Sequence, residues 1–310
     1  MTRPFRFGVQ TSSAPSGRAW RERARKAEDL GYSTLYVPDH FGDQWGPIVA
    51  MTIAAEATER LNVGALVFDN DYRHPVVLAK EIATLDLASE GRVEFGIGAG
   101  WMKSDYDEAG LPYESAGVRI DRMVEGLAVM KQLWREGRAQ LRGTHYTVSG
   151  AQGRPRPATS NGPRIVIGGG GRRVLSIAAQ EADIIGVNPS LAAGHVGAEV
   201  AVSSTAPYYR RRIEWIKEAA GDRFADLELQ CLTFMVQFTD DRWGTYENLA
   251  PLFGLSAEEA AEVPLALAGT VDEMVETLQQ RREEYGFSYI VVHDPEMEQF
   301  AEVVARLAGT

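Results

Sequence analysis

The stretch PRIVIGGGGRRVLSIAA, residues 163–179, decides the fold of this chain. It joins an apolar run of strand length to four glycines, Gly168–Gly171, and then to the start of a helix. Glycines in this place let backbone N–H groups approach an anion closely, and the helix N-terminus adds a partial positive charge. The pattern predicts a phosphate-binding turn of an α/β protein, since one or two glycines would suffice for a tight turn alone.

Apolar segments of strand length alternate with amphipathic segments of helix length on both sides of this turn. Counting along the 310 residues gives eight such strand–helix units, which favours a (β/α)8 TIM barrel. The first strand–helix turn, residues 11–17, lacks the GxGxxG of a doubly wound dinucleotide-binding sheet. We therefore predict one domain over residues 1–310. Its insertions at the C-terminal mouth of the barrel are expected at about 138–162, 189–206 and 240–264.

The composition excludes several function classes. A net charge of −11 argues against binding to nucleic acid or to an anionic membrane. Cys231 is the single cysteine, so no disulfide framework or cysteine-based metal site is expected. No signal peptide precedes Phe5, and no apolar run reaches the ~18 residues of a membrane-spanning helix. We expect a cytoplasmic protein that acts on a small-molecule substrate.

Barrel enzymes carry their active sites at the C-terminal ends of the strands. His40, beside Asp39 after the second strand, is the strongest candidate for an acid or base near neutral pH. Its alternative role is a hydrogen bond to neighbouring backbone. The segment GIGAGW, residues 96–101, would let a flat ligand lie against backbone beside the Trp101 indole, or Trp101 would anchor the core.

A metal site or a nucleophile is poorly supported by the same strand ends. The chain has no HxH pair and no GxSxG motif. Asp39, His40, His293 and Asp294 form the one set that keeps a metal-dependent hydrolase open as an alternative. We predict no metal.

Several segments, taken in order, resemble one family. They are DHF at 39–41, GALVF at 64–68, ATLD at 83–86, GIGAGW at 96–101 and IGGGGR at 167–172. Their order and spacing resemble the luciferase-like monooxygenase superfamily, and most closely its coenzyme F420-dependent oxidoreductases. The resemblance implies a (β/α)8 barrel that binds coenzyme F420, with FMN as the alternative cofactor.

The resemblance also implies a role for each matching residue. Asp39 would bond the ring system of the cofactor, and His40 would face its reactive side as the catalytic acid or base. Leu66 and Val67 would form a bulge behind the ring, often with a non-prolyl cis peptide bond. The remaining cofactor-binding residues would flank the ring edge or hold the phosphate, and they are Gly98, Gly100, Trp101, Gly168, Gly169, Gly170 and Gly171.

The chain departs from the sugar-phosphate dehydrogenases of this family. Trp101 stands where they carry a proton-donating Glu, and Gln44 stands where they carry a Trp, here displaced to Trp45. The loop at 190–206 has no lysine pair for a sugar phosphate. We therefore expect a different small substrate, with the proton supplied from a group such as Asp105, Tyr106 or Glu108.

Three functions remain open at this point. The first is an F420-dependent oxidoreductase that moves a hydride between the deazaflavin and a small organic substrate. The second is an FMN-dependent monooxygenase that uses reduced FMN and O₂. The third, from another class, is a non-catalytic flavin-binding barrel. Many barrels of this kind form homodimers, and a homodimer is expected here although the sequence shows no dimer face.

Overall fold

The computed structural model describes residues 3–195 and 198–310, and the chain divides into two compact units. Unit one contains the described residues of 1–11, 26–34 and 167–310. Unit two contains residues 12–25 and 35–166. Strands and helices alternate along the chain in both units.

The strands, in chain order, are β1 (Arg6–Gln10), β2 (Thr34–Val37), β3 (Asn62–Ala65), β4 (Phe68–Asp69), β5 (Val93–Gly98), β6 (Arg138–Arg142), β7 (Thr147–Gln152), β8 (Arg164–Gly169), β9 (Ile184–Val187), β10 (Glu228–Leu232), β11 (Met235–Phe238), β12 (Ala266–Gly269) and β13 (Phe287–His293). The α-helices are α1 (Gly17–Asp29), α2 (Pro47–Ala57), α3 (Pro75–Ala88), α4 (Lys103–Ala109), α5 (Ala116–Arg135), α6 (Arg172–Glu181), α7 (Ala198–Ser203), α8 (Ala206–Ala220), α9 (Arg242–Leu249), α10 (Ala257–Ala261), α11 (Val271–Tyr285) and α12 (Ala301–Leu307). Short 3₁₀ turns lie at Asn70–Tyr72, Gly221–Asp226, Ala250–Phe253 and Asp294–Glu296.

Unit one is built on parallel strand pairs. β1 pairs with β13, with Arg6 opposite Tyr289 and Gln10 opposite His293. β13 also pairs with β10, and β10 pairs with β9. All four residues of β9 are buried, as expected for a strand that is covered on both faces. Apolar runs of this length therefore become the inner layer of the unit, with the helices outside.

Unit two has the same construction. β3 and β4 both pair in parallel with β5, whose six residues are all buried. The long helix α5 packs on α3 and buries Met123, Leu127 and Trp134 from one face. The Trp134 indole meets Phe95 of β5 edge-on at 5.1 Å and donates its N–H to the Ala79 carbonyl at 2.9 Å. This apolar contact fixes β5, and with it the residues that follow β5.

The fold class predicted from the sequence is confirmed. Parallel strands β1, β2, β3, β5, β8, β9, β10 and β13 are each followed by helix along the chain, which is the (β/α)8 pattern. The insertion at 138–162 contains a β-hairpin, because β6 and β7 pair antiparallel in a separate two-stranded sheet. Among the described residues, no helix combines the length and the apolar composition needed to cross a membrane.

Some expected elements differ from those observed. The residues after Trp101 show no clear helical period in the sequence and predict a loop, but they form α4. The apolar residues within 227–238 predict one strand, the seventh, but the structure has two, β10 and β11. The strand is interrupted because Thr233 donates both its N–H and its hydroxyl to the Val291 carbonyl, and the chain then turns to pair with β12. The insertion at 189–206 contains α7, and its residues 196–197 lie outside the described residues. The insertion at 240–264 contains α9 and α10, and α10 begins with a capping box formed by Ser256 and Glu259.

Candidate active site

The residues predicted from the sequence to form a site fall in both units. Unit two holds Asp39, His40, Leu66, Val67, Gly98, Gly100 and Trp101. Unit one holds Gly168, Gly169, Gly170 and Gly171. Each group has its own hydrogen bonds within its unit.

His40 is held by a carboxylate that lies 65 residues further along the chain. Its Nδ1 is 2.6 Å from Oδ2 of Asp105 in the first turn of α4, and Asp105 is buried. The Tyr72 hydroxyl donates to the same oxygen at 3.1 Å. The imidazole itself is partly exposed, with 22% of its side-chain surface accessible. His40 is therefore fixed on one side and accessible on the other, as a group that transfers protons must be.

Trp101 lies beside this histidine. The two rings are nearly perpendicular, at 87°, and their centroids are 5.7 Å apart. The Trp101 carbonyl accepts a hydrogen bond from the Tyr113 hydroxyl at 2.9 Å, which fixes the backbone that carries the indole. The structure thus brings together the two side chains that the sequence places after β2 and β5.

Asp39 is paired with an arginine that the sequence analysis missed. Arg73 binds it with both terminal nitrogens, Nη1 to Oδ2 at 2.6 Å and Nη2 to Oδ1 at 3.0 Å. The backbone N–H of Asp69 also donates to Oδ2, at 3.0 Å. Both carboxylate oxygens are therefore engaged within the protein. Buried carboxylates that cluster at strand ends require a nearby cation. Arg73, at the end of the run DNDYR (69–73), is the residue from which the sequence could have predicted this cation.

Asp69 is a second buried carboxyl next to this pair. The Tyr106 hydroxyl donates to it, at 3.0 Å to Oδ2, and also to Oδ2 of Asp71 at 3.1 Å. Burial, together with the charges of Asp71 and Asp39, raises the pKa of Asp69 to about 7. Burial and the adjacent carboxylates also raise the pKa of Tyr106, so its phenol remains a donor. Asp71 is neutralised in turn by Arg122 at 3.0 Å.

The backbone between β3 and β4 has the form implied by the family resemblance. The Leu66–Val67 peptide bond is cis, and the Leu66 N–H donates to the Val37 carbonyl at 3.0 Å. A Cβ added at Gly98 would lie 2.8 Å from Cγ2 of Val67, so glycine permits this close approach. At Gly100 the φ angle is +74°, and an added Cβ would lie 1.9 Å from the Tyr106 hydroxyl. Both glycines are required by their surroundings.

The glycine run in unit one joins β8 to α6 as predicted, although β8 extends through Gly169. The Gly170 carbonyl accepts a hydrogen bond from Nε of the buried Arg212 at 2.9 Å. A Cβ on Gly170 would lie 2.2 Å from the Pro189 carbonyl oxygen, whereas one on Gly171 would meet nothing within 4 Å. Gly171 is the N-cap of α6 and makes no side-chain capping bond. The N-terminus of α6 therefore has no side-chain cap from residue 171, and the position that a Cβ of this residue would occupy is open.

The described residues, 3–195 and 198–310, contain no group of three or more His, Cys, Asp or Glu side chains arranged to hold a metal ion. His293, considered with Asp39 and His40 as a ligand set, lies in unit one. Burial lowers the pKa of its imidazole.

Comparisons with known proteins identify the family of this chain. A profile of the luciferase-like monooxygenase family matches residues 1–227. The F420-dependent glucose-6-phosphate dehydrogenase of Microbacterium testaceum is 30% identical over 166 residues, which are 51% of this chain and 49% of that protein. The chain thus spans about half the length of this curated relative.

Two of the solved structures that share the fold are an F420-dependent reductase and a monooxygenase. One is the coenzyme F420-dependent tetrahydromethanopterin reductase from Methanopyrus kandleri, with a TM-score of 0.77, 19% identity and 99% coverage of both chains. The other is a monooxygenase from Streptomyces bottropensis, with a TM-score of 0.71, 20% identity and 97% coverage of both chains.

Proposed function

Because the chain belongs to the luciferase-like monooxygenase family, we propose that it is an oxidoreductase that uses coenzyme F420. It would transfer a hydride between this deazaflavin and a small organic substrate. The observation that carries the proposal is the partly exposed His40, held by Asp105 and flanked by Trp101. A hydride transfer needs a partner group that takes up or releases the accompanying proton, and His40 is suited to that task near neutral pH.

The residues of unit two fit a flat ring. Gly98 and Gly100 have no side chains, and Val67 packs directly against Gly98, so the backbone at 98–100 can lie against a planar ligand. When bound, the deazaflavin supplies the hydride chemistry, and the protein supplies its position and its surroundings. Leu66, Val67, Gly98, Gly100 and Trp101 are proposed to hold the ring. Asp39 would lie beside the ring, with both of its carboxylate oxygens bound to Arg73.

The glycine run is proposed to bind the cofactor phosphate. Gly168, Gly169, Gly170 and Gly171 would present backbone N–H groups and the positive end of α6 to the anion. Arg212 supports the run from behind by binding the Gly170 carbonyl. The open space at Gly171 is the feature that fits this role, because a phosphate needs direct access to the backbone.

The substrate is proposed to be a small organic molecule other than a sugar phosphate. Trp101 replaces the Glu that serves as proton donor in the sugar-phosphate dehydrogenases of the family. An indole cannot donate that proton and instead places an apolar wall against His40 at 5.7 Å. Residues 190–206 also contain no lysine or arginine for a phosphate.

One observation favours a second candidate function. A monooxygenase is among the solved structures with this fold, so an FMN-dependent reaction with O₂ is the alternative. The F420-dependent name of the curated relative supports F420 over FMN. We also propose a cytoplasmic homodimer, which light scattering on the purified protein would test.

A paired fluorescence titration with coenzyme F420 and with FMN tests the proposal. Tight binding of F420 and weak binding of FMN would support it, and substrate screening would start from small alcohols and carbonyl compounds. The reverse preference would favour the monooxygenase. Binding of neither would contradict both cofactor functions, and tight binding without turnover in the screen would indicate the non-catalytic barrel.

A further inference from the structure

The hydrogen bonds around His40 specify which ring nitrogen carries its proton. Oδ2 of Asp105 is 2.6 Å from Nδ1 of His40 and 3.1 Å from the Tyr72 hydroxyl. The Tyr72 phenol must donate, because burial and the nearby carboxylates raise its pKa. An oxygen that already receives one donor at this distance and is buried acts as an acceptor, so Nδ1 is the protonated nitrogen.

The remaining nitrogen, Nε2, is then left for chemistry. Among the described residues, none donates to or accepts from Nε2 of His40. Trp101 packs edge-on against the ring and restricts its rotation about the Cβ–Cγ bond. A ring that is anchored at Nδ1 and packed against an indole holds Nε2 in a fixed position, and the side chain is partly exposed.

We propose that Asp105 is the positioning residue of this site, which holds His40 as the Nδ1–H tautomer and leaves Nε2 as the nitrogen that exchanges a proton with the substrate. The inference rests on the proposed function for the identity of the reaction. The tautomer assigned to His40 follows from the hydrogen bonds alone and does not depend on that function. The Tyr72 hydroxyl donates to the same oxygen of Asp105 and so supports the carboxylate, while the bond to His40 is made by Asp105 itself.

The position of Asp105 in the fold fits this role. It lies in the first turn of α4, whose N-terminus follows β5 and Trp101, and α4 ends at Gly110 in the left-handed conformation. Trp101, which contacts His40, and Asp105, which binds it, are therefore only four residues apart along the chain. Asp107, two residues further on, points to solvent and pairs with Lys103. It provides a matched control on the same helix.

Ring-nitrogen NMR of ¹⁵N-histidine protein tests the inference without cofactor or substrate. The spectrum is recorded at increasing pH until the His40 ring-nitrogen shifts no longer change, so that the tautomer of the neutral imidazole is observed. A His40→Asn variant assigns the His40 signals among the 5 histidines. Wild-type protein is expected to show the proton on Nδ1. Asp105→Ala is expected to shift it wholly or partly to Nε2, whereas Asp107→Ala and Tyr72→Phe should leave it on Nδ1.

Two results would overturn the inference. One is a wild-type His40 with its proton on Nε2, and the other is an Asp105→Ala spectrum identical to wild type. If Asp105→Ala does not fold, the wild-type spectrum alone decides between the two tautomers.

The cofactor titration separates this inference from the proposed function. If the protein binds neither F420 nor FMN but His40 carries its proton on Nδ1, the proposed function is contradicted and the positioning role of Asp105 is supported. If the protein binds F420 but His40 carries its proton on Nε2, the proposed function is supported and the positioning role of Asp105 is contradicted.

Discussion

Arg73 binds Asp39 through two parallel hydrogen bonds, of 2.6 and 3.0 Å, while 5% of the aspartate side chain and 23% of the arginine side chain are accessible. Asp39 follows β2 directly, and Arg73 follows the 3₁₀ turn after β4, so the pair ties two strand ends together. The Asp69 N–H completes the set of donors on Asp39. This ion pair makes it possible to bury a carboxylate directly beside His40.

Arg73→Ala is expected to destabilise the protein by about 3 kcal/mol, because it leaves the buried Asp39 carboxylate without its cation. The free energy of unfolding in urea measures the effect. Arg306→Ala is the matched control, since the Arg306–Asp272 pair is exposed, with 41% and 85% of the side chains accessible. Its cost should stay below about 1 kcal/mol. Equal losses in the two variants would show that the burial of Asp39 carries no special cost.

Gly100→Ala is expected to destabilise the protein by roughly 2–4 kcal/mol, because φ is +74° and the new Cβ would meet the Tyr106 hydroxyl and Asp69. The double variant Gly100→Ala/Tyr106→Phe removes the nearest clashing atom. In a double-mutant cycle the second change should therefore cost less in the Gly100→Ala background than in wild type. Strictly additive costs would mean that the Tyr106 contact does not limit position 100.

The sequence predicted the fold class and the individual strand ends because both depend on local patterns. The glycine run marked a strand–turn–helix junction, and the structure has β8 and α6 on its two sides. His40 and Trp101 were placed at the same end of the fold by the rule for parallel strands, and their rings are in contact. Hydrophobic periodicity and the positions of glycines are properties of short segments, so they could be recognised in the sequence without knowledge of the tertiary contacts.

The partners of these residues could not be predicted in the same way. Asp105 was one of three candidates near Trp101, and nothing local distinguished it from Glu108. Its bond to His40 depends on α4, which is a helix of seven residues with weak periodicity. The Arg73–Asp39 pair spans 34 residues and depends on the break between β3 and β4. Contacts of this kind are set by tertiary packing, which no local pattern encodes.

Asp69→Asn is expected to change the pH dependence of stability. The pKa of Asp69 rises from 3.8 to about 7 on folding, so its contribution to stability is fully present below about pH 4 and is lost as the pH rises through 7. The variant has no such loss. The difference between its free energy of unfolding and that of wild type should therefore increase, in favour of the variant, between pH 4 and 7. The gain is on the order of 4 kcal/mol at most, at about 1.4 kcal/mol per pKa unit.

Urea unfolding at a series of pH values would check this, with Asp107→Asn as the exposed control at 59% accessibility. Parallel pH curves for wild type and Asp69→Asn would contradict the raised pKa.

His40→Asn is expected to lower turnover with a substrate found by screening by about 100-fold while the affinity for F420 stays nearly unchanged. The asparagine amide can still donate to Asp105 in place of Nδ1, so the fold should be retained. F420 absorbance measures turnover, and fluorescence measures affinity. Wild-type turnover in His40→Asn would remove the acid–base role from His40.

Gly171→Ala tests the proposed phosphate-binding turn. The backbone there has φ −95° and ψ 151°, which alanine adopts readily, and the added Cβ meets no atom within 4 Å. The substitution should therefore leave the stability almost unchanged. If a cofactor phosphate binds this backbone, the methyl group will crowd it and weaken F420 binding by about tenfold or more, which is about 1.4 kcal/mol.

Gly46→Ala is the control for Gly171→Ala, because position 46 is also open, with φ −60°, and is not among the proposed cofactor contacts. It should bind F420 as wild type does in the same fluorescence titration. Unchanged F420 binding in Gly171→Ala would mean that the cofactor phosphate does not contact the turn at residue 171. That result would not bear on the proposed ring contacts in unit two.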